Sequence, residues 1–326
     1  TRLDGVGTRD VFVAKLDGDG NLVWLKGFVG GYGTGQKILT ATDGSVYTLG
    51  TFNNTIDFDP GPGTFQLTSA GQRDIFVQKL DSAGDLVWAV AMGGSEFDFG
   101  WDIAVDPSGN VYTVGTFSGT VDFDPGPGTM SLTSAGDRDI FVQKLDSGGI
   151  LAWAVAMGGV DSDEASGVAV DGSGNVHTTG AFEGTADFDP GPGTFELTSA
   201  GSREIFVHKL DSAGNFVWAV SVEGDSYDQG LVLAVDDSGN VHTTGFFEGI
   251  ADFDPGVGTF ELTSAGGFDS FVQKLDSDGN FIWAAGMGAS SSDYGFGVAV
   301  DDLGNVYTTG AFSGTTDFDP GAGTFE

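Results

Sequence analysis

The sequence predicts an all-β fold made from five copies of one unit, and three observations carry that expectation. The tetrapeptide Asp-Phe-Asp-Pro begins at Asp57, Asp122, Asp187, Asp252 and Asp317, always 65 residues apart. A tryptophan keeps nearly the same pace at Trp24, Trp88, Trp153, Trp218 and Trp283, with a first interval of 64. One residue is therefore missing between Trp24 and Val46. Third, no long segment has helical period, while β-branched residues and 56 glycines are spread along all 326 positions. A fixed period of this kind marks a repeat architecture, and the absence of a three-residue period excludes collagen.

Within the second copy, alternating segments are separated by turn signals, which is the pattern of strands. Residues 101–106 form the first and a Pro-Ser-Gly-Asn turn leads into the second, 111–117. An insertion carrying Asp-Phe-Asp-Pro-Gly-Pro-Gly at 122–128 follows. The third strand is 139–146 and the fourth, after Ser-Gly-Gly, is 151–156. In the Asp-x-x-Gly-Asn turns the Asp accepts local N–H groups and the Gly takes positive φ. Four antiparallel strands per copy make a propeller blade. The small apolar first strands (103–105, 168–170, 298–300) suit the crowded innermost position, and the Trp-bearing fourth strands suit the periphery. A β-solenoid is the rival arrangement.

The expected architecture is a single domain over 1–326, a five-bladed β-propeller. By alignment of the copies, Thr1 matches Phe65 and Glu326 matches Glu261 and Gln66. One blade would then take inner strands from 298–301 and 306–312 and outer strands from 10–17 and 22–26, leaving no open ring edge. With no initiator Met and a start partway through a copy, the chain reads as a mature product or an excerpt.

The run Ile-Ala-Val-Asp-Pro-Ser-Gly-Asn-Val-Tyr-Thr-Val-Gly at 103–115, with Phe-Val-Gln-Lys-Leu-Asp-Ser-Gly-Gly at 141–149, resembles the bacterial SBBP β-propeller repeat. It is similar, more distantly, to NHL-type blades. The resemblance spans all five copies. It implies a propeller of an exported or cell-surface bacterial protein, and it carries no shared catalytic set. The Asp-Phe-Asp-Pro-Gly insertion departs from it and leaves the ligand open.

Charge narrows the partners. Against 47 Asp and Glu stand 12 Lys and Arg, a formal net charge of −35, which repels nucleic acid and anionic membranes. Cations, neutral sugars and basic protein patches are compatible. Self-repulsion should make stability depend on salt. With no cysteine there is neither disulfide nor thiolate chemistry, and no apolar run is long enough to span a bilayer.

Blade topology puts the insertion and the blade-to-blade loop on one face. That loop carries Asp98, Asp163, Asp228 and Asp293 at the repeat spacing, so a crown of carboxylates is expected there. Paired carboxylates with exposed carbonyls suit Ca²⁺. The candidates are Asp57 with Asp59, Asp122 with Asp124, Asp187 with Asp189, Asp252 with Asp254, and Asp317 with Asp319. The competing reading is a turn in which Asp caps N–H groups over a packed Phe; no EF-hand spacing is present. Lys15, Lys79, Lys144, Lys209 and Lys274 recur, as do Arg9, Arg73, Arg138 and Arg203, with Phe268 in the fifth copy; these read as neighbours of the repeated acids. The repeated Trp residues read as blade packing. Trp101 breaks the repeat, with Ser166, Leu231 and Phe296 in its place, and is a candidate ligand-stacking residue. His177 and His242 replace a Tyr, and His208 replaces a Gln, as packed side chains.

Near-identical copies give near-identical environments, whereas acid–base catalysis needs unlike ones. No nucleophile elbow or phosphate-cradling loop appears. The expectation is a non-catalytic, exported or cell-surface module that binds a glycan or protein multivalently through an acidic loop face, itself a candidate for binding calcium. A structural building unit of a surface layer, filament or appendage is the alternative, and a glycosidase-like enzyme ranks below both.

Overall fold

The computed structural model describes residues 3–319, so Thr1 and Glu326, on which the overlap of the two ends rests, lie outside the described residues. Among the described residues every regular element is a strand, and the ladders between strands are antiparallel. The third copy shows the four-stranded unit in full. Glu164–Val170 pairs with Val176–Phe182, which pairs with Glu204–Leu210, which pairs with Phe216–Gly224. The same order recurs from Phe99–Val105 to Leu151–Gly159 and from Gln229–Val235 to Phe281–Met287. No helix long and apolar enough to cross a membrane occurs among the described residues.

The insertion does more than loop out. In the first four copies it folds into a short hairpin, such as Thr185–Asp187 with Glu196–Thr198. That hairpin joins the end of the preceding fourth strand, through Gly158↔Asp187 and Gly159↔Ala186. The pattern repeats at Gly93↔Asp122 and Glu223↔Asp252. Each hairpin thus extends the sheet of the copy before its own.

In the first four copies apolar burial concentrates on three phenylalanines each. Phe123, from the Asp-Phe-Asp-Pro turn, meets Phe117 edge-on at 5.5 Å and Phe141 at 4.9 Å. Phe188 sits likewise between Phe182 and Phe206, and Phe253 between Phe247 and Phe271. All nine rings are 0–1% exposed. Offset and edge-to-face pairs of this kind add to the area term. Gln143 Nε2 donates to the Phe123 carbonyl at 2.7 Å, satisfying a buried acceptor.

The missing residue after Trp24 has a visible effect. Without a blade-to-blade loop, the fourth strand runs directly into the first of the next copy as one 19-residue strand, Leu22–Thr40. Gly33 occupies the place of Asp98: its N–H donates to Arg9 O at 2.8 Å, as that of Asp98 does to Arg73 O at 2.9 Å.

At the far end, Tyr294–Val300 and Val306–Ala311 form a two-stranded sheet. Among the described residues Val306–Ala311 has no second partner, and Val11–Leu16 pairs only with Leu22–Thr40. Chain packing groups the protein into two compact units, Thr1–Ser134 with Phe141–Ala154, and Ala135–Ile140 with Val155–Glu326.

Candidate functional site

The Asp-Phe-Asp-Pro carboxylates, expected as calcium ligands, form turns. Asp122 Oδ1 accepts the N–H of Asp124 at 3.0 Å and of Met130 at 2.8 Å. Asp57, Asp187 and Asp252 hold the same two N–H positions in their own copies, and Asp317 accepts from Asp319. The second acid of each pair is also occupied locally. Asp124 Oδ1 accepts the N–H of Gly126 at 2.8 Å. In the same way Asp59 accepts from Gly61 at 2.7 Å, Asp189 from Gly191 at 2.8 Å, and Asp254 from Gly256 at 2.9 Å. The other oxygen of Asp59, Asp189 and Asp254 lies against Gly63, Gly193 and Gly258, where a Cβ would strike it. In the first four copies the Phe between the two acids is core, Phe58, Phe123, Phe188 and Phe253 being fully buried.

No group of three or more His, Asp or Glu side chains that could hold a metal assembles among the described residues. A hard cation needs six to eight oxygens. At each pair one carboxylate oxygen already faces backbone donors, and no third acid joins them. The pairs Asp57 with Asp59, Asp122 with Asp124, Asp187 with Asp189 and Asp252 with Asp254 thus build the capped turn of the competing reading, and no third acid groups with them among the described residues.

The expected crown of carboxylates is a correction. Asp98, Asp163, Asp228 and Asp293 are 0–1% exposed. The insertion and the blade-to-blade loop do lie together, and these acids tie one to the other. Asp163 accepts from Gly159 N at 2.7 Å and Glu183 N at 3.2 Å, and Asp293 from Ala289 N and Ser313 N, both at 2.8 Å. A second acid lies beside each: Asp74, Asp139, Glu204 and Asp269, 0–5% exposed. Asp139 and Asp163 both press against Gly158, where a side chain would strike the two carboxylates. Burial pushes Asp98 and Asp139 up to about 6 and Asp163 and Asp228 up to about 7.

The repeated Lys and Trp residues staple one copy to the next. Trp218 Nε1 and Lys209 Nζ both donate to Ser277 O, at 3.1 and 3.0 Å; Trp24 and Lys15 do the same to Ser82 O. Lys79 and Lys144 also lie 5.1 and 5.0 Å over the Tyr47 and Tyr112 rings. The lysines are therefore held mainly by rings and carbonyls rather than by the acids, although Lys274 reaches Asp236 at 3.4 Å. The histidines keep the geometry they replace: His177 and His242 approach Asp171 and Asp236 as Tyr112 and Tyr307 approach Asp106 and Asp301. Buried His208 packs on Phe188 and Phe216.

What remains unspent is the entry to each first strand, where chemistry changes from copy to copy. Successive copies carry Tyr32, Phe97, Ser162, Tyr227 and Ser292 at one position, then Thr34, Phe99, Glu164, Gln229 and Tyr294 two residues on. The third position holds Gln36, Trp101, Ser166, Leu231 and Phe296. The repeated arginines join this row by backbone bridges, Arg9↔Tyr32, Arg73↔Phe97, Arg138↔Ser162 and Arg203↔Tyr227.

In the first unit, Phe97, Phe99 and Trp101 stack in parallel at 6.2 and 5.5 Å. The Arg73 guanidinium lies 4.9 Å from the Tyr32 ring and 5.9 Å from that of Phe99, and Arg9 donates to Tyr32 OH at 2.9 Å. In the second unit, Arg203 pairs with Glu164 at 3.1 Å and donates to Tyr227 OH at 2.9 Å, while Gln229 donates to Ser166 at 3.1 Å. Tyr227, Phe246, Phe268, Tyr294 and Phe296 form a ring cluster beside them. Trp101 is the one member the sequence singled out; testing its neighbours for departure from the repeat finds the rest.

Two curated proteins are similar to the chain. It is 28% identical over 292 residues to an uncharacterized WD repeat-containing protein, L264, of Acanthamoeba polyphaga mimivirus, covering 73% of this chain and 21% of that protein. It is 27% identical over 194 residues to the regulatory protein FlaEY of Caulobacter vibrioides, covering 55% of this chain and 20% of that one. The chain spans about a fifth of the length of either relative. A family model described as a β-propeller repeat, SBBP, matches residues 279–311. That segment runs from the Gly-Asn turn before Phe281–Met287 through Val306–Ala311 and so includes three of the strands that recur in every copy. Residues 279–311 are thus similar to the SBBP β-propeller repeat, and strands of the same kind recur along this all-β chain.

Proposed function

We propose that this chain is a non-catalytic interaction module that engages a protein partner through the varied entries of its first strands. The observation that carries the reading is the concentration there of Arg, Tyr, Phe and Trp, the composition of interface hot spots. Elsewhere the repeated polar groups are consumed by turns, hairpins and staples. Binding is then not five-fold multivalent, because each copy presents different side chains. Screening the immobilised protein against protein and glycan arrays tests this. Protein ligands lost on Trp101→Ala or Tyr227→Ala, and retained on Asp124→Asn, support it; glycan signals that survive both substitutions overturn it. Export to a cell surface rests on the repeat resemblance alone.

A second reading, a building unit that assembles through sheet edges, is favoured by the bare edges of Val11–Leu16 and Val306–Ala311. We propose instead that these edges pair within one chain and complete a fifth blade. Four intact copies set the register: Val46↔Leu80 through Thr51↔Ile75 corresponds to Val306 against Leu16 through Ala311 against Val11. Ala14→Cys with Thr308→Cys, in a chain that has no other thiol, should give an oxidised monomer. Covalent dimers and longer chains would favour assembly.

A further inference from the structure

Arg203 and Arg73 stand 130 residues apart, and so do Glu164 and Thr34. The pair Arg73 and Thr34 is therefore the pair Arg203 and Glu164 two copies earlier. In the later pair the guanidinium meets a carboxylate of its own chain at 3.1 Å. In the earlier pair threonine takes the carboxylate's place. Arg73 is held between the Tyr32 and Phe99 rings, and among the described residues no carboxylate reaches it. A half-buried cation left without an acid, in a chain of net charge −35, is an unused electrostatic partner. Around it the rings of Tyr32, Phe97, Phe99 and Trp101 offer apolar edges, and Phe97 is 39% exposed.

We propose that this patch binds a carboxylate carried next to an aromatic or apolar group, as an acidic side chain or C-terminus of a protein partner presents it. Glu164 is the chain's own image of that ligand. The guanidinium fork matches a carboxylate in two donors, and its stacking between rings fixes the plane of the fork before the ligand arrives. This deepens the interaction-module reading and rests on it.

The test uses N-acetyl-phenylalanine, which joins a ring to a carboxylate, and its amide, which lacks the charge. Binding is followed on the indole N–H resonance of Trp101, assigned with Trp101→Phe. The acid should bind about tenfold tighter than the amide or better, the scale of one charge-assisted hydrogen bond. Arg73→Gln should remove that preference. Thr34→Glu, which supplies the internal carboxylate, should weaken the acid about tenfold, whereas Thr34→Gln should leave it within about twofold. Equal binding of acid and amide, or Thr34→Glu binding as the parent does, overturns the proposal; the threonine variants decide it even should Arg73→Gln fail to fold. If the acid fails while a partner protein is still lost on Trp101→Ala, the carboxylate assignment falls and the module reading stands.

Discussion

Asp139 shows how one repeated residue can serve the fold and burden it. Its Oδ2 accepts the N–H of Ala135 at 2.9 Å, but its buried Oδ1 has no hydrogen-bond partner among the described residues, and Asp163 stands beside it. A carboxyl raised to about 6 in the fold from an ordinary 3.8 is more easily protonated folded than unfolded. Its favourable contribution is full below the unfolded value and is lost as pH rises through about 6. Asp139→Asn keeps an acceptor and removes the charge. It should stabilise the protein at pH 8 by on the order of 1–3 kcal/mol and change little at pH 4, as thermal melts at the two pH values will show. The spacing of this acid was legible in the sequence; its burial was not, because the hairpin that covers it comes from a distant part of the chain. Trp101 was legible only as an irregularity. It sits where the pairing register shifts between Gly100 and Asp102, and such a bulge takes a side chain off strict alternation.

At the level of elements, the turns and strands follow from local chemistry. Asp106 Oδ1 collects the N–H groups of Ser108 and Asn110, and Gly109 supplies a φ of 82°, as the Asp-x-x-Gly-Asn pattern implies. The hairpin inside each insertion was not legible, because its three-residue strands are too short to show alternation. Its Phe anchors it: Phe123→Ala should cost about 3–5 kcal/mol, the range for deleting a buried aromatic side chain, measured by urea unfolding. The staples should be weaker individually. Trp88→Phe keeps a ring against Tyr47 and removes the donor to Ser147 O at 3.1 Å, and should cost about 1 kcal/mol on the same assay.

For the whole molecule, two families of acids oppose each other. The turn carboxyls Asp106, Asp171 and Asp236, at work in hydrogen bonds to Asn110, Asn175 and Asn240, are held below their usual range. They stabilise the fold above about pH 4, and that support fades as pH falls through their lowered values. The buried acids at about 6 to 7 act in the other direction, with support fading as pH climbs. Stability should therefore peak between about pH 4 and 6, and a melting temperature still rising from pH 6 to 8 would contradict this. With net charge −35, added salt should raise the melting temperature at pH 8 by screening self-repulsion. The period and the strand count were plain in the sequence. The unlike chemistry of the first-strand entries was overlooked because near-identity elsewhere suggested five equal sites.

Because each described insertion hairpin completes the sheet of the copy before it, no such copy is a self-sufficient brick. Deleting part of one would leave a neighbour's fourth strand without its last ladder partner. Deleting 65 residues from a starting point beyond the shortened first copy would instead rejoin matching surfaces. Gene-level gain and loss should therefore proceed in whole periods, with the break point free to fall anywhere. Lineages carrying such arrays would differ in copy number long before they differ in the architecture of a copy.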